Sequence, residues 1–199
     1  MRPLVYTMPD YRIAFAIAIA VWALPERIGS FWLRSSRDPS ARRKDRGSLL
    51  VVVGAIIVGL LLGFALGIDW TSTAIPWFRP QLTIAGIILM LLGVALRWWS
   101  IITLGRYFTL DVAVRATQAV VQSGPYHFVR HPSYTGMLLT LFGIGLALAN
   151  WASIVALLGG GLIGLLYRVQ VEERALAEAL GQPYVEYMRR TKRFIPYLV

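Results

Sequence analysis

The sequence has no cysteine and only two histidines. The first absence excludes disulfides, thiolate metal sites and a cysteine nucleophile, and says nothing of compartment. Charge is scarce: 15% of the 199 residues are Asp, Glu, Lys or Arg, against about 25% in soluble domains. Hydrophobic residues reach 57%, against about 45–50%. Negative charge is scarcer still, with 10 acidic residues facing 20 Lys and Arg for a net charge of +10. In so apolar a chain that excess marks cytoplasmic loops and anionic headgroups rather than nucleic acid. Also missing are a glycine-rich phosphate loop between strand and helix, a nucleophile elbow around Ser133, internal repeats and low-complexity tracts.

What is present comes in long apolar blocks, with a mean hydropathy of +0.61, and a bilayer is the solvent they fit. Arg12 to Leu33 reads as a first span, kinked at Pro25-Glu26-Arg27 and retained, because no small-residue cleavage site follows its apolar core. Arg34, Arg37, Arg42, Arg43, Lys44 and Arg46 against Asp38 and Asp45 make the densest positive loop, a solvated cytoplasmic one. Ser48 to Ile68 is an uncharged second span, and a third runs from about Gln81 to Leu104. Near its end, Arg97 beside Trp98-Trp99 reads as a snorkelling anchor in preference to a functional charge inside the membrane. Tyr134 to Ala149 and Ala152 to Tyr167 are short, and suit a tilted hairpin turning at Asn150-Trp151. Gly159-Gly160-Gly161 allows close helix approach or a kink there. From Arg168 an amphipathic helix follows, with Val171, Ala175, Leu176 and Ala179 on one face, Gly181 as its cap and Pro183 opening a last short helix. The expected fold is all-α: a polytopic membrane protein of about five transmembrane helices, N-terminus outside and C-terminus in the cytoplasm. Residues 1–104 supply the first three spans, and 105–199 form the C-terminal core.

Both histidines, His127 and His131, fall in the run Gly124 to Tyr134, just before the fourth span. Arg168, Glu172 and Glu173 come just after the fifth. A hairpin between them returns both polar clusters to one side of the membrane. Arg168 and Glu172, four apart, share a helix face. On a soluble surface that pair is worth ~0.3–0.5 kcal/mol, but beside a membrane span charge is costly and usually functional. The histidines are poor metal ligands: Pro132 disfavours a helix through His131, and no carboxylate neighbours them in sequence.

The run Ser123-Gly124-Pro125-Tyr126 with Arg130-His131-Pro132-Ser133-Tyr134 and Gly136 resembles the motif of isoprenylcysteine carboxyl methyltransferases. So do Asn150 at the turn, Arg168-x-x-x-Glu172-Glu173, and Gly181-x-x-Tyr184-x-x-Tyr187. The resemblance covers about the last eighty residues, and the first hundred match only as hydrophobic spans. It implies a membrane enzyme with a cytoplasm-facing S-adenosylmethionine pocket, S-adenosylhomocysteine as its product, and a lipophilic or prenylated-cysteine substrate entering laterally from the bilayer. It further implies backbone contacts to the cofactor from Gln118, Ala119, Val120 and Val121, with Tyr126 beside them. His131, Pro132, Ser133 and Tyr134 would hold the nucleoside and methionine parts, Glu172 the α-amino group, and Arg168 the substrate carboxylate as the catalytic residue. Asp111 falls where the family has a polar cofactor contact, and the role of Glu173 is open. Neither a metal nor nucleic acid is expected. The same C-terminal half is similar, more loosely, to phospholipid N-methyltransferases and membrane sterol reductases, so methylation of a lipid amine and NADPH-dependent reduction stand as the alternatives. Arg168 favours the carboxylate, because a cation there repels an ammonium substrate.

Overall fold

The computed structural model describes residues 1–32, 42–43, 45–110, 112–114 and 118–196. Arg34, Arg37, Asp38, Lys44 and Asp111 lie outside them. The described chain is helical: α1 (Leu4–Thr7), α2 (Pro9–Trp32), α3 (Ser48–Asp69), α4 (Arg79–Leu104), α5 (Pro132–Ala147), α6 (Trp151–Leu180) and α7 (Gln182–Arg190). A two-residue antiparallel pairing of β1 (Arg42–Arg43) with β2 (Ala113–Val114) links the two longer connections.

Among the described residues, α3, α4 and α6 are long and apolar enough to cross a membrane. Leu50, Val58 and Leu61 of α3 stay more than half exposed, as a lipid-facing surface requires and water would penalise. A similar outward row, Ile13, Ile17, Val21 and Leu24, runs along α2, which keeps Pro25 inside the helix. The second half of the hairpin differs from expectation. Its helix does not end near Tyr167 but continues unbroken for 30 residues to Leu180, about 45 Å at 1.5 Å per residue. No glycine or proline interrupts it after Gly164, and Leu, Arg, Glu and Ala favour its continuation. Arg168, Glu172 and Glu173 therefore hold a fixed helical register with the apolar part of α6. By contrast α5, at 16 residues, is only about 24 Å long.

Glycine decides how these helices meet. A Cβ on Gly93 of α4 would lie 2.5 Å from the Gly136 carbonyl oxygen of α5, and one on Gly143 would lie 2.6 Å from that of Gly86. Only bare backbones approach so closely, and dispersion between them is what holds helices together in lipid. On the other side α3 packs along α6, where a Cβ on Gly160 would meet the Ala55 carbonyl at 2.6 Å. Gly161 packs on Leu141, whereas Gly159 faces open space. The expected close approach thus involves Gly160 and Gly161.

The hairpin turn is knotted by Asn150. Its buried side chain accepts from the Ser153 amide (3.1 Å) and the Thr73 hydroxyl (3.0 Å), and donates to the Leu66 and Trp70 carbonyls. At the opposite end Gly181, with φ at +62°, closes α6 as its cap and leads into α7, which has proline in its first turn. Beyond α7 the chain lies back along the start of α5. The Arg130 amide donates to the Lys192 carbonyl (2.8 Å), the His131 amide to that of Arg193 (3.0 Å), and the Thr135 hydroxyl to that of Phe194 (2.8 Å).

Candidate active site

The start of α5, the last turns of α6, α7 and the connection before α5 enclose a cavity. Gln118, Ala119, Val120, Val121, Tyr126, His131, Ser133, Tyr134, Arg168 and Glu172 all line it, so the structure brings these sequence-predicted residues together. Pro132 is not among its lining residues. It sits buried in the first turn of α5, where its fixed φ starts the helix. His127 is exposed and faces a separate cleft with Arg190 and Lys192. Apart from Arg130 and Thr109, the remaining walls are apolar and aromatic, including Val112, Val114, Leu176, Tyr184 and Tyr187.

Arg168 and Glu172 are joined through Tyr134 rather than directly. The Tyr134 hydroxyl donates to Glu172 (2.7 Å) and accepts from Arg168 Nε (3.2 Å). The His131 ring stacks on Tyr134, 5.4 Å between centroids and 11° from parallel. Arg168, only 4% exposed, also donates from Nη1 to Asp45 Oδ1 and the Ser48 hydroxyl (3.0 Å) and from Nη2 to the Leu110 carbonyl. Burial raises the proton affinity of Asp45. Hydrogen bonds from Ser48 and from the Val112 and Leu49 amides, with the Arg168 charge, outweigh burial and hold it below the usual carboxylate range. Burial also pushes the Tyr126 and Tyr184 phenols far above their ordinary value, and that of Tyr187 up to about 12. Tyr187 donates to the Tyr126 carbonyl at 2.7 Å and fixes α7 against the wall.

Glu173 points away from this centre and gathers cations. It accepts from Arg130 Nε (2.9 Å) and Arg193 Nη2 (2.8 Å), and lies 3.3 Å from His131 Nε2. The Arg130 side chain reaches on to the Met188 and Thr191 carbonyls. Glu173 thereby clamps the returning chain end onto the base of α5 and steadies the ring of His131 from behind.

Arg97 departs from the snorkelling anchor that its tryptophan neighbours suggest. It is 5% exposed, grips the Glu26 carboxylate of α2 with Nε and Nη2, and donates from Nη1 to the Ser133 hydroxyl (2.7 Å). Glu26 supplies the anion and the α4–α5 glycine contact brings the Ser133 hydroxyl within reach, so turning inward satisfies the charge without a climb to the interface. Arg97 stands alone in the apolar body of its helix, which was the signal in the sequence. Asp45 left a fainter one: an acid three residues before Ser48 is a helix-start pattern, and here it accepts from the Leu49 amide (3.2 Å).

A second, mostly apolar cavity opens between α3, α4, α5 and α6, lined by Val52, Val53, Ile56, Met137 and Leu165. Its polar end carries Glu26, Arg97, Tyr134 and Arg168. Tyr134, Arg168, Phe108 and Thr109 line both cavities. The cavity at the base of α5 and the greasy one between the helices thus share a wall, and one guanidinium stands in that wall. Among the described residues no group of three or more His, Cys, Asp or Glu could hold a metal.

Residues 86–178 match the sequence profile of the isoprenylcysteine carboxyl methyltransferase (ICMT) family. The match starts inside α4, earlier than the motifs do, and stops short of Gly181 and Tyr184. The chain is 34% identical over 115 residues to protein-S-isoprenylcysteine O-methyltransferase B of Arabidopsis thaliana, covering 57% of this chain and 58% of that one. It is 30% identical over 118 residues to the Saccharomyces cerevisiae enzyme of that name, covering 58% of this chain and 49% of that one. It thus spans about half the length of these curated relatives. A longer match, 34% identical over 169 residues, covers 83% of this chain and 70% of the cobalt-zinc-cadmium resistance protein CzcN of Cupriavidus metallidurans. In three dimensions it is similar to a solved structure of the eukaryotic intramembrane Ras methyltransferase ICMT, with a TM-score of 0.63 at 20% identity over 98% of this chain and 70% of that one. The segment 86–178 thus carries the sequence profile of the isoprenylcysteine carboxyl methyltransferase family, its curated relatives there include enzymes of that name, and the fold is that of the solved ICMT structure.

Proposed function

We propose that this chain is an integral membrane carboxyl O-methyltransferase that takes its methyl group from S-adenosylmethionine and its acceptor, a lipophilic carboxylate of the isoprenylcysteine type, from the bilayer. The observation that carries this reading is the shared wall: Arg168 and Tyr134 stand where the first cavity, at the base of α5, meets the apolar one between the helices. The first cavity suits the cofactor by donor chemistry. Its flat walls of Tyr126, Tyr184 and Tyr187 suit a nucleoside base, Glu172 offers an anion for an α-amino group, and the segment from Gln118 to Val121 offers backbone. His131, Ser133 and Tyr134 complete the set of binding residues, with Pro132 acting through the backbone it fixes.

When bound, the cofactor supplies an electrophilic methyl group on a sulfonium. The protein's part is then largely positioning. A carboxylate is already ionised at pH 7, so no general base is needed, and Arg168 offers it a planar pair of donors. The apolar cavity excludes water around the reacting charges, which disfavours them relative to the neutral ester that forms. An amine acceptor would need a proton removed and would be repelled by Arg168. In this reading residues 1–104 anchor and wall the lipid side, and residues 105–199 carry the chemistry. The chain crosses the membrane five times, counting α2 and α5, with its N-terminus outside and both polar clusters at the cytoplasmic face, as the positive loops suggest.

The test is methyl transfer by detergent-purified protein from labelled S-adenosylmethionine to a farnesylated cysteine analogue. A base-labile methyl ester is the expected product. A base-stable methylated product, or transfer only to lipid amines, would remove the carboxylate reading.

A further inference from the structure

Arg168 already holds a carboxylate. We infer that Asp45 occupies, on Arg168, the place that the acceptor carboxylate takes during turnover, so that acceptor binding exchanges one carboxylate for another. The inference rests on the carboxyl-transfer reading and names a specificity residue for it.

A guanidinium has five N–H donors, and those of Arg168 reach Tyr134, Asp45, Ser48 and Leu110. What remains cannot give the two-pronged grip that a carboxylate prefers. Of the four partners, Asp45 alone carries a charge, and its carboxylate has further partners of its own. Its Oδ2, the oxygen turned away from Arg168, accepts from the Leu49 amide (3.2 Å), and its Oδ1 also accepts from the Ser48 hydroxyl (2.8 Å) and the Val112 amide (3.2 Å). The positive end of the helix favours the anion there as well. The backbone beside it is also unusual. Arg46 and Gly47 follow with φ at +48° and +77°, and a left-handed non-glycine residue is costly enough to mark a position held for a purpose.

The exchange gives the site a direction. In the transfer an acceptor oxygen takes the methyl group, the C–S electron pair stays on sulfur, and carboxylate and sulfonium become a neutral ester and thioether. The ester no longer competes for Arg168. Asp45 then re-forms its pair, and product leaves a site that has lost its attraction for it. Asp45 thus limits how tightly the acid is held and leaves the hold on the neutral ester, which does not compete for Arg168, unchanged.

Asp45→Asn and Asp45→Ser each retain a side-chain acceptor for the Leu49 amide, which spares the start of α3. For wild type and both variants, three quantities are measured: KM for the farnesylcysteine acid, inhibition by its methyl ester, and affinity for S-adenosylhomocysteine. The expected result is a KM for the acid lower by roughly tenfold, equivalent to about 1.4 kcal/mol of relieved competition. Ester inhibition and S-adenosylhomocysteine affinity should stay within about twofold, far below the tenfold that 1.4 kcal/mol represents. A KM unchanged or raised in both variants, with S-adenosylhomocysteine affinity intact, overturns the inference and leaves Asp45 a brace. Loss of S-adenosylhomocysteine binding in both variants overturns it too, by showing that Asp45 supports the cavity wall. If wild-type protein forms no base-labile ester, the proposed function itself has failed and this inference goes with it.

Discussion

Replacing Glu173 by Gln tests whether the returning chain end is held by one buried carboxylate. The Glu173 side chain is 5% exposed and that of Arg130 is 9% exposed, whereas Arg193 is 36% exposed. These arms are unequal. Breaking a buried pair and leaving a guanidinium behind costs about 3–5 kcal/mol, while an exposed pair contributes about 0–1 kcal/mol. Gln keeps one oxygen able to accept from Arg130 or His131, so the lower end, about 3 kcal/mol, is expected for Glu173→Gln. Arg193→Ala should cost under about 1 kcal/mol. For a chain of this size each kcal/mol moves the melting temperature by about 2–4 °C, giving a fall of about 6–12 °C for the first variant and under about 4 °C for the second. Tryptophan fluorescence during heating in one detergent reads both. S-adenosylhomocysteine affinity should also fall in Glu173→Gln, because His131 loses the partner behind its ring. If the two variants melt within about 2 °C of each other, below the shift expected of even 1 kcal/mol, the clamp is refuted. The chain end would then be held by its backbone hydrogen bonds to Arg130 and His131 and by the Thr135 hydroxyl.

Three further outcomes are expected. Glu172→Gln should leave melting unchanged and weaken S-adenosylhomocysteine binding by roughly tenfold or more, the scale of one charge-assisted hydrogen bond; unchanged affinity by calorimetry would take Glu172 out of the site. Gly93→Ala forces a Cβ to within 2.5 Å of the Gly136 carbonyl oxygen, so it should part α4 from α5 and depress cofactor affinity, while Gly159→Ala, facing open space, should not. Tyr187→Phe strands the buried Tyr126 carbonyl at a cost of about 1–3 kcal/mol. The wild-type phenol, raised by burial to about 12, adds a pH signature. The folded state favours the protonated phenol, so this stability is fully present below the ordinary tyrosine value of about 10 and is lost as pH rises from there towards 12. Denaturant titrations on the alkaline side should show that loss in wild type and not in Tyr187→Phe.

The spans were legible because apolar length is a one-dimensional property, and α3 and α4 begin and end within a few residues of the runs that announced them. Caps were legible for the same reason: Asn150, Gly181 and Pro183 act on their own neighbours. The cavity lining was legible through its motif, since residues at the base of α5 and on one face of α6 are ordered in sequence as they are in space. Charge pairing was not. Arg97 and Glu26 lie in different helices, Arg168 lies in α6 and Asp45 in the turn before α3, and sequence spacing says nothing of partners 71 and 123 positions apart. What sequence did contain was the anomaly itself, a lone charge in an apolar helix. A rule for such chains follows from the cost of burial. A cation inside an apolar run has two ways to be satisfied, reaching the interface or finding an anion, and the second becomes available when bare backbones bring another helix within a side chain's length. Gly93 and Gly136 bring the Ser133 hydroxyl to Arg97, whose anion Glu26 comes from α2, and Gly59 and Gly160 bring the helix that begins beside Asp45 up against the helix of Arg168. The small residues that look like packing detail are therefore what turns two expensive cations into a site.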